Sequence, residues 1–378
     1  MRAKHTSHPL KAFPVYSIAF ISDNEVILGG GGGSSRAGIK NKMKLFRVDG
    51  DSSIELLNEF ELEKDADAPM SMVADPETGM FACGINGPLE LIEKGENKNC
   101  RAYRVKDKQI QPAGSVGTLR AGDVEDYQRA STLSRDGSFL LAAGLHLFHV
   151  LKFPSLEPAA PRVEIEEDIY DAIFSSKQII IVTSTNIMVF PIPDGDADRP
   201  LEAIKTVPVP PIPDVGGKST FRRGLNAPLR FHPSDENILY TVSNTTASRA
   251  KARSKVTPRQ AYIYRWDVSS WKVTKSRKVS DKGATCFDVS PNGKYLAFGS
   301  SDYSIGVLDS TTLAPLLTIL KAHEFPPTAL RFNPTSNLLV SGSPDNTVRV
   351  VSIPTSLGNQ RTSPPPHPPS TTQSFDTL

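Results

Sequence analysis

The stretch with the most unusual residue types is Gly29–Lys42 (GGGGGSSRAGIKNK), where five consecutive glycines precede Arg36, Lys40, Asn41 and Lys42. Glycine allows positive φ and close backbone approach, so such a run can aim several amides or carbonyls at one point. Three chemistries compete for it. A flexible hairpin connection needs no more than the glycines. A phosphate loop has the spacing of Gly33–Gly38, but Ile39 stands where lysine is required and Lys40 comes one residue late. Asn41 also replaces the Ser/Thr that would hold magnesium, and the chain continues as the strand-like Met43–Val48, not a helix. The third reading is a rigid, ion-organised loop that touches a partner.

Other titratable residues give weaker signals. His146 and His149 are three apart in LHLFHV, a spacing that puts them on opposite faces of a strand and prevents a shared metal. His323 and Asp345 read as a structural pair tying strand ends, with Val351 where a tryptophan would complete the network; Asp302 is expected to turn a hairpin as Asp345 does. Asp123, Glu125 and Asp126, like Glu164, Glu166, Glu167 and Asp168, are expected to be solvated carboxylates in loops between repeat units. No GxSxG, HExxH or strand-bound GxGxxG motif occurs, so no catalytic residue is assigned.

The elements that must position these residues follow from a repeat. Thr285–Asp309 and Thr328–Ser352 superimpose without a gap, and Pro291 to Pro334 and Asp302 to Asp345 are each 43 residues apart. That period, with short alternating strands, marks a β-propeller blade of WD-repeat type. Weaker copies lie at Val15–Val48, Met70–Ile92, Gln128–Val150, Glu167–Val189 and Asn226–Asn244. The fold class is therefore all-β, a seven-bladed propeller over residues 1–354. The last copy has only three strands, so about residues 2–12 are expected to supply its fourth and close the ring.

Between the blades, Pro191–Gly217 reads as a solvated loop with a short strand inside. Ala247–Arg259 carries five basic residues and no acid, as a solvated loop does. Residues 355–378 are a proline-rich segment with the composition of a disordered tail. Among 378 residues, 43 basic and 41 acidic side chains leave a net charge of +2, no field for nucleic acid. Cys83, Cys100 and Cys286 are scattered like reduced thiols, and neither a signal peptide nor a membrane span is legible. Alone, the chain reads as soluble and cytoplasmic, and a propeller without catalytic residues is by default an interaction platform, a non-catalytic scaffold for other proteins.

The first blade narrows this. Gly29–Gly32, Gly38-Ile39-x-Asn41-Lys42, Leu45-x-Arg47-Val48-Asp49, Glu59-Phe60-x-Leu62-Glu63, Asp67-Ala68-Pro69 and Lys94-Gly95-x-Asn97-Lys98 resemble the endoplasmic-reticulum guanine-nucleotide exchange factors for the Sar-type GTPase of COPII assembly. The resemblance implies a seven-bladed propeller whose glycine stretch, the K loop, is organised around a potassium ion. Mapped onto this chain, it implies potassium at Gly30, Gly31, Gly32 and Asn41. It implies GTPase contacts at Ile39, Lys40, Asn41, Lys42, Asp67 and Pro69, with Ile39 and Asn41 inserting and Asp67 and Pro69 positioning the switch. It also implies the cytosolic face of the endoplasmic reticulum. This chain departs from the family in having Lys40 where a proline precedes the asparagine, and a proline-rich tail where the family has a membrane helix.

Overall fold

A computed structural model describes residues 4–34, 38–50, 52–209, 228–245 and 260–354. These residues form seven four-stranded antiparallel sheets, the blades of a propeller. The chain enters with β1 (His5–Pro9), which belongs to the last blade. Blade 1 follows as β2 (Val15–Phe20), β3 (Glu25–Gly30), β4 (Lys42–Val48) and β5 (Ile54–Glu61). Blade 2 is β6 (Ser71–Asp75), β7 (Met80–Gly84), β8 (Cys100–Lys106) and β9 (Gln109–Val116), with a short helix, α1 (Leu89–Glu93), between β7 and β8. Blade 3 is β10 (Ala130–Leu133), β11 (Phe139–Ala143), β12 (Leu147–Lys152) and β13 (Val163–Glu164). Blade 4 is β14 (Ile169–Phe174), β15 (Gln178–Thr183), β16 (Asn186–Pro191) and β17 (Lys205–Pro208). Blade 5 is β18 (Leu229–His232), β19 (Asp235–Asn244), β20 (Ala261–Asp267) and β21 (Lys272–Ser280). Blade 6 is β22 (Ala284–Val289), β23 (Tyr295–Ser300), β24 (Ile305–Asp309) and β25 (Pro315–Ile319). Blade 7 is β26 (Ala329–Phe332), β27 (Leu338–Ser343) and β28 (Thr347–Ser352), completed by β1.

Burial explains the sequence of each strand. A second strand such as β23, YLAFGS, has neighbouring blades on both faces and is buried throughout, so it reads as a continuous apolar run. Outer strands such as β9 and β21 face water, and β21 is mostly polar. The blade 7–blade 1 joint buries Val15, Ile18, Val26 and Leu28 against Leu338, Val340, Val348 and Val350. β1 pairs antiparallel with β28, from His5 opposite Val351 to Pro9 opposite Thr347, as the missing fourth strand requires. The ring therefore has no open edge at this joint.

The repeat's polar residues tie hairpins as expected. Thr347 N donates to Asp345 Oδ1 at 2.9 Å, and Ser304 N donates to Asp302 Oδ1 at 3.1 Å. His323 lies between Thr347 Oγ1 and Ser341 Oγ, 2.8 Å from each. Blade 5 supplies the Trp–Asp pair that blade 7 lacks: Trp266 Nε1 donates to Thr241 Oγ1 at 2.9 Å.

Several expectations are corrected. His146 lies in the turn before β12 while His149 is within it, so the two do not share a strand, and His146 Nε2 is 3.5 Å from Asp168. Asp126 is not solvated: it is buried, and its carboxylate accepts the amides of Tyr127 and Leu145. Glu164 is part of β13, and its carboxylate bonds Arg120 at 2.9 Å. The short strand of the Pro191–Gly217 segment is β17, the fourth strand of blade 4, so much of that segment lies within a blade. The basic segment 247–259 falls between β19 and β20, inside blade 5's hairpin and not between blades. That basic segment and the tail 355–378 lie outside the described residues.

Candidate partner-binding site

The glycine loop is the β3–β4 hairpin of blade 1, and its glycines are fixed by close packing. Gly29 and Gly30 are strand residues of β3. A Cβ on Gly29 would lie 2.4 Å from Ser17 Oγ and 2.7 Å from Pro69 Cβ, and one on Gly30 would lie 2.1 Å from the Pro14 carbonyl oxygen. Past the strand the backbone enters left-handed space, with φ of +139° at Gly31 and +68° at Gly33. A side chain at Gly31 would also meet Asn41 Oδ1 at 2.3 Å. Only glycine satisfies both constraints there.

Asn41 ties the two arms of the loop. Its Oδ1 accepts the Gly33 amide at 2.9 Å, while Nδ2 donates to the carbonyls of Gly33 at 2.8 Å and Ala66 at 2.7 Å. Its own carbonyl accepts Leu62 N at 2.9 Å, and Gly31 N donates to Pro14 O at 2.9 Å. At about 1 kcal/mol net for each hydrogen bond, the side chain alone offsets much of the entropy of ordering several glycines. These bonds hold the two described arms, 29–34 and 38–42, while residues 35–37 between them lie outside the described residues.

Asp67 anchors the loop from the side of blade 2. Its Oδ1 accepts Ala68 N at 2.7 Å, and its carboxylate also accepts the amide of Ser34. Burial pushes the Asp67 carboxyl above the ordinary range, against the pull of these two amides. Asp67 N donates to Asn86 O, and Asn86 Nδ2 donates to Asp126 O, each at 2.9 Å, so a polar chain runs from the loop through blade 2 to blade 3.

The residues singled out by sequence fall into two groups. Ile39 is partly buried and Lys40 is exposed on the return arm, with Lys40 Nζ 2.6 Å from Glu61 Oε1. Lys42 opens β4 and pairs with Glu59 and Glu61, beside Lys44, which is 2.9 Å from Glu59. The bond from Lys42 leads the interactions that hold Glu59 below the usual carboxylate range. Asn41 and Pro69 face inward. Every polar atom of the Asn41 amide is committed to backbone, of Gly33 within the loop and of Ala66 outside it, so it positions the loop, and the expected insertion into a partner does not suit it. Pro69 is buried against Gly29 and its carbonyl accepts Ser17 Oγ at 2.7 Å; it forms the loop's footing, not a contact surface. Sequence reasoning missed Pro14, Ala66 and Asn86, whose contribution is through backbone or a single amide.

Neutral oxygens border the glycine backbone. Asn41 Oδ1, the Lys40 carbonyl and the Ile39 carbonyl crowd the positions that Cβ atoms on Gly31 and Gly32 would take, at 2.3, 2.7 and 2.8 Å respectively. All are neutral oxygens, the donor class of carbonyl-lined ion sites and not of transition metals. Gly30, expected in the cage, is paired with Lys42 in the sheet.

Comparison with known proteins places this geometry. Residues 314–352 match the WD domain, G-beta repeat family. The chain is 23% identical over 375 residues to the guanine nucleotide-exchange factor SEC12 of Candida glabrata, covering 94% of this chain and 74% of the relative. It is 25% identical over 327 residues to SEC12-like protein 2 of Arabidopsis thaliana, covering 84% and 73%. It is also 23% identical over 348 residues to SED4 of Candida glabrata, covering 90% of this chain but only 31% of that much longer relative. Among the described residues no helix is long and apolar enough to cross a membrane. The chain is a seven-bladed WD-type propeller that resembles the SEC12 guanine nucleotide-exchange factors along nearly its whole length.

Proposed function

We propose that this propeller is a guanine-nucleotide exchange factor for a Sar-type small GTPase, acting at the cytosolic face of the endoplasmic reticulum to start COPII vesicle formation. The observation that carries this reading is the braced glycine loop: Asn41 and Asp67 hold it from two sides and leave Ile39 and Lys40 on its return arm. The names of the similar proteins supply the reaction class.

Exchange needs no covalent chemistry. It needs tighter binding to the nucleotide-free GTPase than to the GDP-bound form, and a coupling of about 4 kcal/mol weakens GDP about a thousandfold. A loop already ordered in the free protein spends none of that coupling on its own folding. Ile39 and Lys40 then displace the switch segments whose order depends on magnesium and phosphate. Asn41 and the Gly31–Gly32 backbone, with the carbonyls of Ile39 and Lys40, would hold a potassium ion. When bound, that ion offsets repulsion among converging oxygens and stiffens the loop.

The reading is tested by immobilising the protein and measuring its affinity for a Sar-type GTPase with and without GDP. Exchange activity requires the nucleotide-free form to bind about a thousandfold tighter. Equal affinities would leave a WD-repeat scaffold.

A further inference from the structure

Two arginines on the propeller's axial channel share two carboxylates unevenly. Arg230 and Arg331 come from the innermost strands β18 and β26 and line both a cavity of about 70 Å³ on the axis and a wider vestibule of about 410 Å³. The vestibule lies toward the Phe20 end of β2, on the face opposite the glycine loop.

Two carboxylates approach the arginines, and both are already committed. Asp171 accepts Ala172 N, Leu229 N at 3.1 Å and Arg230 Nη1 at 2.7 Å. Asp288 accepts Phe332 N at 2.9 Å and has its other oxygen 3.6 Å from Arg230 Nε. Arg331 Nη1 donates to the Leu330 carbonyl at 3.0 Å, and among the described residues no carboxylate lies within ion-pair distance of its guanidinium. Burial lowers the Arg331 pKa; Asp288 opposes this and Arg230 adds to it. Arg331 therefore lines the vestibule with no carboxylate in ion-pair contact and can take an anion there.

The vestibule walls specify the rest of the ligand. They are apolar, with Phe20, Pro76, Ile173, Pro291, Phe332 and Pro334 surrounding the arginine floor. A pocket of this size, with mostly apolar walls and two arginines among a few polar groups, has the make-up of a small-molecule site. A guanidinium with no carboxylate within ion-pair distance suits a singly charged anion, and its planar fork matches a carboxylate in two parallel hydrogen bonds. A phosphate monoester would bring nearly two charges and leave an excess. We propose that the vestibule binds a small apolar carboxylate, its head on Arg331 and its hydrocarbon body against the Phe20, Ile173 and proline walls.

The inference is independent of nucleotide exchange. It is tested by titrating the intact protein calorimetrically at neutral pH with octanoate, 1-octanol and acetate. Octanoate is expected to bind about tenfold or more tighter than either control, because only it offers both a carboxylate and an apolar body. Arg331→Gln should erase the preference over octanol and leave octanol binding unchanged. If that variant does not fold, Arg331→Lys should reduce the preference, since an ammonium cannot make the paired hydrogen bonds. Octanoate binding no tighter than octanol or acetate, no binding at all, or a preference that survives the Arg331 substitution would each overturn the proposal.

Discussion

Asn41 is a carboxamide whose donors and acceptor are spent on the backbone of its own loop and of Ala66, and that arrangement sets what substitution should do. Asn41→Ala removes three hydrogen bonds without touching a blade core. At about 1 kcal/mol for each bond the loss is up to about 3 kcal/mol, so amide exchange at Gly33 should accelerate at least about tenfold and the denaturation midpoint should fall by a few degrees. Gly31→Ala is more severe, because its methyl would enter the space of Asn41 Oδ1 at a φ of +139°. A loss of about 2 kcal/mol in chemical denaturation is expected. Gly38→Ala, at φ +76° with open space around it, should cost only about 1 kcal/mol. His323 makes the contrasting case. Burial leads the effects that depress its pKa to about 4, against the opposing pull of Asp345, so it is neutral in the folded ring. The unfolded chain takes up the proton first as pH falls from about 6.5, so stability is present above that pH and lost toward pH 4, by up to about 3 kcal/mol. Denaturation curves at pH 7 and pH 5 should show this loss, and His323→Gln should flatten it.

At the scale of elements, the ring depends on β1. Deleting residues 1–9 strips β28 of its partner from His5 to Pro9 and exposes an edge. The truncated chain should elute as oligomers in light-scattering chromatography, whereas the full chain should not. The closing strand was legible because the last repeat stops one strand short at Pro354. Blade 2 was only half legible. The helix-forming LELIE of α1 interrupts the strand pattern, so the repeat read as Met70–Ile92 stops before β8 and β9. The segment 247–259 hides the hairpin of blade 5 in the same way, and with it the Trp266–Asp267 pair on β20. Periodicity survives insertion only where the strands on both sides stay recognisable.

Across the whole molecule, the glycine loop could be found from its residue types, but its bracing could not. Asn41 reaches Ala66 across 25 residues, and Ser34 meets Asp67 through a backbone amide that has no residue signature. Pro69 looked like a contact residue and is a footing, because only the packing of blade 1 on blade 2 shows which side of the loop it occupies. The channel arginines belong to strands in different blades, and the ring closure alone brings them together. The propeller thus presents the braced loop on one face and the charged vestibule on the other. The most direct test of the loop's role is the rate of GDP release from a Sar-type GTPase loaded with fluorescent nucleotide, in potassium buffer, with the wild-type chain and with Asn41→Ala. Exchange through a braced loop requires strong acceleration by the wild type and loss of most of it in a variant that remains folded. No acceleration by the wild type, or full acceleration by Asn41→Ala, would contradict it.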